Sequence, residues 1–257
     1  MSFKKSLQNQ PTLLIDADLY LYRACAAAEQ EVNWGDDVWS LSTDLKVAKA
    51  TVQNLIQRWC EKFETVDFVM CISDRENFRK EIYPSYKGNR KGVRKPVGYK
   101  ALVQWARDVY VTHTEAFLEA DDVMGILGTA PDTNAIIISD DKDMKTLPGR
   151  LFRPVTDESL TITKEQADAS WYLQCLTGDT TDGYAGLPGV GPKTAEKILG
   201  QRPTWETVLN AYLAKGMTYE DALVQSRLAR ILRYEDWDQK TSTINLWEPE
   251  HVSRPSE

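Results

Sequence analysis

Histidine is nearly missing from this chain of 257 residues, which contains only His113 and His251. That scarcity argues against a zinc or iron centre built on imidazoles, so a catalytic metal would have to be held by oxygen. Cysteine is also sparse: Cys25, Cys60, Cys71 and Cys175 lie far apart and form no CxxC pair. Reduced thiols are expected rather than a disulfide framework or zinc ribbon. No apolar run approaches the roughly 20 residues needed to span a bilayer, and the opening MSFKKSLQNQPT has lysines with no apolar stretch behind them. It does not read as a signal peptide, and a cytoplasmic protein without membrane contact is expected. Nor is there a surplus of positive charge, the formal net charge being −7. That balance ordinarily speaks against a nucleic-acid partner, but an acidic metal pocket can produce it while a local basic surface binds phosphate.

What is present is the composition of an ordinary globular protein, with 42% hydrophobic and 27% charged residues. Its length suits one α/β domain or a larger domain with a small appendage. Three short apolar runs end in acids: TLLIDAD closes on Asp16 and Asp18, DFVMCISD on Asp74, and AIIISDDKD on Asp140, Asp141 and Asp143. Buried parallel strands have this form, with function at their C-terminal ends. Between them, helical spacing is read over LYLYRACAAAE, over residues 45–63 and over 99–107, with a strand over 109–115. FLEADDVMGILGT places Glu119, Asp121 and Asp122 at a helix start, where single acids commonly complement the helix dipole but three within four residues need more explanation. RLFRPVT and SLTIT read as an edge hairpin. Helices follow over 164–176, 205–213 and 219–234, and the tail after Trp247 is polar.

Composition changes sharply between Arg75 and Lys100. Nine cations, among them Arg79, Lys87, Arg90, Arg94 and Lys95, face only Glu76 and Glu81, and Phe78, Tyr83, Tyr86 and Tyr99 interleave with them. In an acidic chain this mixture reads as an exposed arm that binds phosphate. Further on, GDTTDGYAGLPGVGPKTAEKILG sets Asp179 and Asp182 three apart, then opens a glycine-punctuated turn into a helix. Gly189 and Gly191 would allow close approach of a phosphate backbone, Pro192 suits a first helical position, and Lys193 and Thr194 stand at the helix start. Alone, this GxGxK turn reads equally well as an ordinary connection between helices.

Asp16, Asp74, Glu119, Asp121, Asp122, Asp141, Asp143, Asp179 and Asp182 would mostly converge at one edge of a parallel sheet. Carboxylates so close raise one another's pKa and need counter-ions. Oxygen-only ligands match Mg²⁺, and an acid-rich pocket beside a basic arm is what phosphodiester cleavage by two metal ions requires. No serine, cysteine or histidine nucleophile is then needed.

In order along the chain, LLIDAD, ISD with FRKEIYPSYKGNR, LEADD, ISDDKDMKTL, GDTTDG and GLPGVGPKTA resemble the successive motifs of the flap endonuclease family of structure-specific 5′ nucleases. The likeness is nearest to 5′→3′ exonucleases of short-tailed bacteriophages and spans residues 13–200. It implies an α/β fold, a PIN-like parallel sheet flanked by helices over 1–160 that includes the arm 75–100. A helical region over 161–257 would carry a helix-hairpin-helix at 184–200. It implies one metal group on Asp16, Asp74, Glu119 and Asp121, a second on Asp141, Asp143, Asp179 and Asp182, with Asp122 supporting them, for two Mg²⁺ or Mn²⁺ ions. Lys87 and Arg90 would steer the scissile phosphate with Arg79 in support, and Tyr22 would stack a terminal base. Tyr86, Arg94, Lys95, Gly189, Gly191, Lys193 and Thr194 would contact DNA, with K⁺ bound by carbonyls of the hairpin turn. Asp140 has no assigned role.

The implied activity is 5′→3′ cleavage of duplex DNA with a free 5′ end, releasing 5′ nucleotides, together with RNA/DNA hybrid and 5′-flap cleavage by a monomer. The arm departs from the family's long helical arch, being short and broken by Pro84, Gly88, Gly92, Pro96 and Gly98. That puts threading of a strand through it in doubt. One rival reading is a PIN-type ribonuclease, which the hairpin argues against. Another is a non-catalytic DNA-binding scaffold, which the full set of matched acids argues against.

Overall fold

The computed structural model describes residues 10–249. Strand β1 (Thr12–Asp16) passes directly into helix α1 (Ala17–Ala27). The Asp16 carboxylate accepts the Leu19 N–H at 3.1 Å and starts that helix, so the expected strand ends two residues earlier than Asp18. A hairpin that no sequence signal announced, β2 (Glu29–Asn33) and β3 (Trp39–Thr43), leads to α2 (Leu45–Lys62). After β4 (Phe68–Cys71) come the arm with short α3 (Arg79–Ile82), then α4 (Tyr99–Val109), β5 (Thr112–His113), α5 (Ala120–Gly128) and β6 (Ala135–Ile138). The edge hairpin is β7 (Gly149–Arg153) and β8 (Glu158–Ile162). Helices α6 (Lys164–Thr177), α7 (Pro192–Leu199), α8 (Trp205–Ala214) and α9 (Tyr219–Ala229) precede a small pair, β9 (Trp237–Asp238) and β10 (Thr243–Ile244).

The main sheet has the order β5-β4-β1-β6-β7-β8. Its pairings are parallel except for antiparallel β8 at one edge. Strands covered on both faces must be apolar throughout, and alternation along them divides the core. Leu13, Ile15, Met70, Ile136 and Ile138 pack against α1, α2 and α4, whereas Leu14, Cys71, Ile137 and Leu151 pack against α5. Register pairs Asp16 with Cys71 and Ile15 with Ile138. The C-terminal ends of β1, β4 and β6 therefore lie level, and the acids that follow them emerge at one edge.

A third core cluster joins α6 to α9 and takes in Tyr86 from the arm. The division expected near residue 160 is crossed in return, because Ile231, Leu232 and Trp237 pack beneath the sheet with α5. Helix α9 stops at Ala229 rather than running to Tyr234. Beyond it, Arg230 Nε lies 2.8 Å from Asp236 and Arg233 Nη1 lies 2.7 Å from Asp168, drawing the chain into an extended path. Among the described residues, no helix is long and apolar enough to cross a membrane. Most of the polar tail read after Trp247, including His251, lies outside the described residues.

Candidate active site

At the C-terminal edge of the sheet lies a cleft of about 660 Å³ lined by Asp16, Asp18, Asp74, Glu119, Asp121, Asp141, Asp143, Asp179 and Asp182. Lys87, Arg90, Arg94, Lys95 and Lys142 line it as well, so nine carboxylates meet five cations. Asp16 is buried and accepts the Ser139 hydroxyl at 2.7 Å. Burial, with Asp18 and Asp141 adding to it, pushes its carboxyl up to about 7 despite that bond. Asp121 is raised well above the usual carboxylate range by burial and by Asp16, Asp141 and Glu119. Asp143 is pushed up to about 6 by burial and by Asp141. This part of the cleft carries more negative charge than the protein compensates.

The opposite wall is compensated. Burial would raise Glu119, but Lys87 and Arg79 outweigh it and hold the carboxyl at about 2. Lys87 Nζ bonds Glu119 and lies 3.5 Å from Asp182 Oδ2, while Arg90 Nη2 lies 2.6 Å from Asp182 Oδ1. Lys142 Nζ meets Asp179 Oδ2 at 2.9 Å. Among the described residues, no group of three or more acids, histidines or cysteines forms a ready-made cation cage. Ammonium and guanidinium groups stand among the acids of the two metal groups expected from sequence.

Backbone geometry accounts for several of these positions. The loop carrying Asp179 and Asp182 is closed by crossing glycines: a Cβ on Gly186 would meet Gly178 N at 2.3 Å, and one on Gly178 would meet Gly186 N at 2.5 Å. Asp179 Oδ1 then accepts the Thr181 N–H at 2.7 Å inside the loop. The arm docks on the same loop, where Lys87 N–H donates to Asp182 O at 2.7 Å and Asn89 Nδ2 to Thr180 O at 2.8 Å. Lys87 holds a left-handed backbone, φ 55°, uncommon for a side chain of its size. Asp74 is fixed from α5's approach, accepting the Phe117 N–H at 2.9 Å, which holds its carboxyl below its ordinary range.

Three expectations need correction. Arg79 is 2% exposed and meets both oxygens of Asp122 at 2.8 and 2.7 Å, besides the carbonyls of Arg230 and Leu228. Its guanidinium is spent inside the protein and does not face a phosphate. Asp122 is fully buried and also accepts the N–H of Leu232 and of Glu119, so it braces the start of α5 and does not reach the cleft. Tyr86 is 3% exposed, its hydroxyl lying 3.0 Å from Glu119 and 2.9 Å from Asp182. The aromatics of the arm are anchors more than surface contacts, since Phe78 and Tyr99 are buried too.

The remaining predicted positions are accessible. Tyr22 is 40% exposed at the cleft, edge-on to Tyr99. Arg94 lines the cleft but is held by both oxygens of Glu29, and Lys95 lies 4.8 Å over the Tyr99 ring. Gly189 (φ 75°) and Gly191 border open space, and Lys193 and Thr194 stand exposed in the first turn of α7. Asp140 turns away to Arg23 and the Val155 N–H, a structural tie. Sequence reading missed Asp18, which accepts the Ser73 N–H and the Tyr99 hydroxyl, and Lys142. Both stand within two residues of a singled-out acid, and that proximity was the available signal.

The profile of the family described as 5′–3′ exonuclease, N-terminal resolvase-like domain, matches residues 11–171. The exodeoxyribonuclease of Enterobacteria phage T3 is 32% identical over 289 aligned positions, covering 96% of this chain and 95% of that protein. The chain belongs to the 5′–3′ exonuclease family. The exonuclease of Escherichia phage T7 is likewise 32% identical, covering 96% of each chain. Among solved structures, the phage T5 D15 protein co-crystallised with metal ions matches with a TM-score of 0.64 at 16% identity, over 86% of this chain and 89% of that one. At that identity the likeness shows a shared fold. As a member of the 5′–3′ exonuclease family, this chain is a phosphodiester hydrolase acting on DNA.

Proposed function

We propose that this chain is a divalent-metal-dependent 5′→3′ exonuclease of duplex DNA that releases 5′ nucleotides and also removes RNA from hybrids and cuts 5′ flaps. The observation that carries the reading is the uncompensated carboxylate wall, Asp16, Asp121 and Asp143, opposite Lys87 and Arg90 in one cleft. An all-oxygen donor set with this surplus of charge fits Mg²⁺ or Mn²⁺. Asp16, Asp74, Glu119 and Asp121 would hold one ion, and Asp141, Asp143, Asp179 and Asp182 the other. Divalent cations bound there supply Lewis-acid stabilisation to the attacked phosphate and its leaving oxygen.

The chain's own groups do the rest. Arg90 and Lys87, which pair with Asp182 and Glu119, line the same cleft as these acids and would orient the scissile phosphate there. Tyr22 stacks the terminal base, while Gly189, Gly191, Lys193 and Thr194 hold the duplex backbone, with K⁺ at the turn. Residues 1–160 form the catalytic unit and 161–257 the duplex-gripping unit, a monomer serving phage replication, recombination or host-DNA breakdown in the host cytoplasm. The test uses 5′-end-labelled duplex, hybrid and flap substrates with Mg²⁺ or EDTA. Mononucleotide release from recessed and blunt 5′ ends in Mg²⁺ alone supports the reading, and cleavage that persists in EDTA refutes it.

A further inference from the structure

Beside Lys87 and Arg90 lies a second, smaller cavity of about 260 Å³. It shares Asp74, Lys87, Arg90 and Glu119 with the catalytic cleft and adds Arg75, Asn77, Lys80 and Lys91, which the cleft lacks. Five cations meet two acids there, in a chain whose formal net charge is −7. Both acids are answered locally: Glu119 pairs with Lys87 and Arg79, and Asp74 accepts the Phe117 N–H at 2.9 Å. Arg75, Lys80 and Lys91 are exposed, and none of them forms an ion pair among the described residues. A concavity lined by an excess of one charge concentrates ions of the other, so this one draws an anion.

Both walls stand on anchored backbone. Arg75 and Lys80 flank Phe78 and Arg79, which are buried, and the Phe78 N–H donates to Phe117 O at 3.1 Å. Arg90 and Lys91 end the turn Gly88–Arg90, where Asn89 Nδ2 donates to Thr180 O at 2.8 Å. Position in the fold narrows the anion. The cleft is bounded by Asp179, Thr181 and Asp182 from the helical region, whereas the cavity has no lining residue beyond Glu119. A strand that runs from the helical region to a scissile phosphate at Lys87 and Arg90 therefore enters the cavity with the part on the other side of the cut. In 5′→3′ cleavage that part is the 5′-terminal nucleotide. A terminal phosphate carries about −1.5 to −2 charges at pH 7, more than a backbone diester, and exposed cations without partners suit it better than they suit a hydroxyl.

We propose that this cavity binds the 5′-terminal phosphate of the strand being cut, so that the enzyme prefers 5′-phosphorylated ends. Arg75, Lys80 and Lys91 make the contacts, and the nucleotide lying between cavity and cleft is the one released. The inference rests on the exonuclease reading and adds an end-group specificity to it.

The test uses two duplexes, labelled at the 3′ end of the cut strand and identical except for a 5′ phosphate or a 5′ hydroxyl on it. Single-turnover cleavage by the full chain in Mg²⁺ should favour the phosphate about tenfold, one charge-assisted hydrogen bond, and anisotropy in EDTA should show the same preference in binding. Lys80→Met and Lys91→Met should each bring both ratios toward one, whereas Lys100→Met, which removes a cation of the same segment outside the cavity, should leave them. On a 5′ flap long enough that its end lies beyond the cavity, phosphate and hydroxyl forms should be cut equally. Equal cleavage and equal affinity for the two duplex ends would overturn the proposal and leave the exonuclease reading standing; a binding preference without cleavage in Mg²⁺ would do the reverse. Ratios unmoved in both lysine variants, or a phosphate preference that persists on the long flap, would also overturn it.

Discussion

Removing the Arg79 guanidinium separates a structural role from a phosphate-binding one. Arg79→Ala leaves the Asp122 carboxylate, which is 0% exposed, with no cation against it. It also strips the carbonyls of Arg230 and Leu228 of their donor. Breaking a buried pair by deleting one partner costs about 3–5 kcal/mol, a large part of the roughly 5–15 kcal/mol that holds a domain folded. Urea unfolding in EDTA should show that loss as a lower midpoint at unchanged slope. The double variant Arg79→Met with Asp122→Leu leaves neither charge behind but still strips Leu232 and Glu119 of their acceptor, so it should recover part of the stability and with it part of the cleavage of duplex. The reasoning is refuted if Arg79→Ala shifts stability by less than about 0.5 kcal/mol while turnover collapses, or if the double variant is stable but inactive. Either result would put the guanidinium on the substrate.

Other outcomes follow from the same geometry. Gly186→Ala should displace the loop holding Asp179 and Asp182, because its Cβ would meet the Gly178 nitrogen at 2.3 Å and its φ of 65° strains any side chain; thermal melting should drop and cleavage fall with it. Lys193→Ala should weaken duplex binding evenly across sequences and reduce the salt slope by about one, whereas equal affinity at low and moderate salt would remove Lys193 from the interface. In EDTA, stability should decline as pH rises from about 4 to about 7, because Asp16 (about 7) and Asp143 (about 6) keep protons in the folded state that the unfolded chain has released. Mg²⁺ should reverse that decline. Stability that rises steadily through the window would contradict the uncompensated wall. The groups held low, Glu119, Asp179 and Asp168, contribute stability that is present above about pH 4 and lost only below it.

Much of this architecture is legible before any coordinates. Apolar runs ending in acids belong to few structures other than buried parallel strands, so β1, β4 and β6 and the convergence of Asp16, Asp74 and Asp141 follow from TLLID, FVMC and AIII with their trailing acids. What stays hidden depends on tertiary partners. A run of arginines and tyrosines reads as a surface, and only the fold shows Arg79 and Tyr86 turned inward to Asp122, Glu119 and Asp182. The end of α9 has no glycine or proline to mark it, since the pull of Asp236 and Asp168 on Arg230 and Arg233 replaces a local signal. Gly178 and Gly186 are unremarkable in sequence, because their need for close approach arises from each other. The β2–β3 hairpin was hidden for a different reason: EVNWGDDVW has polar and apolar residues on both faces, so it buries neither.

The central claim is that the carboxylate wall works by holding divalent cations. Asp141→Asn tests it most directly, because asparagine can keep the bond that Asp141 Oδ1 accepts from the Asp143 N–H at 2.9 Å while losing the charge. Single-turnover release of a 5′-labelled nucleotide from duplex should be measured across a Mg²⁺ titration, beside calorimetric binding of Mn²⁺. Loss of a metal ligand should cost at least the roughly 10–100-fold seen for residues that only hold the ligands in place, with weaker Mn²⁺ binding and an unchanged melting temperature in EDTA. Wild-type turnover and unchanged Mn²⁺ affinity in Asp141→Asn would contradict it.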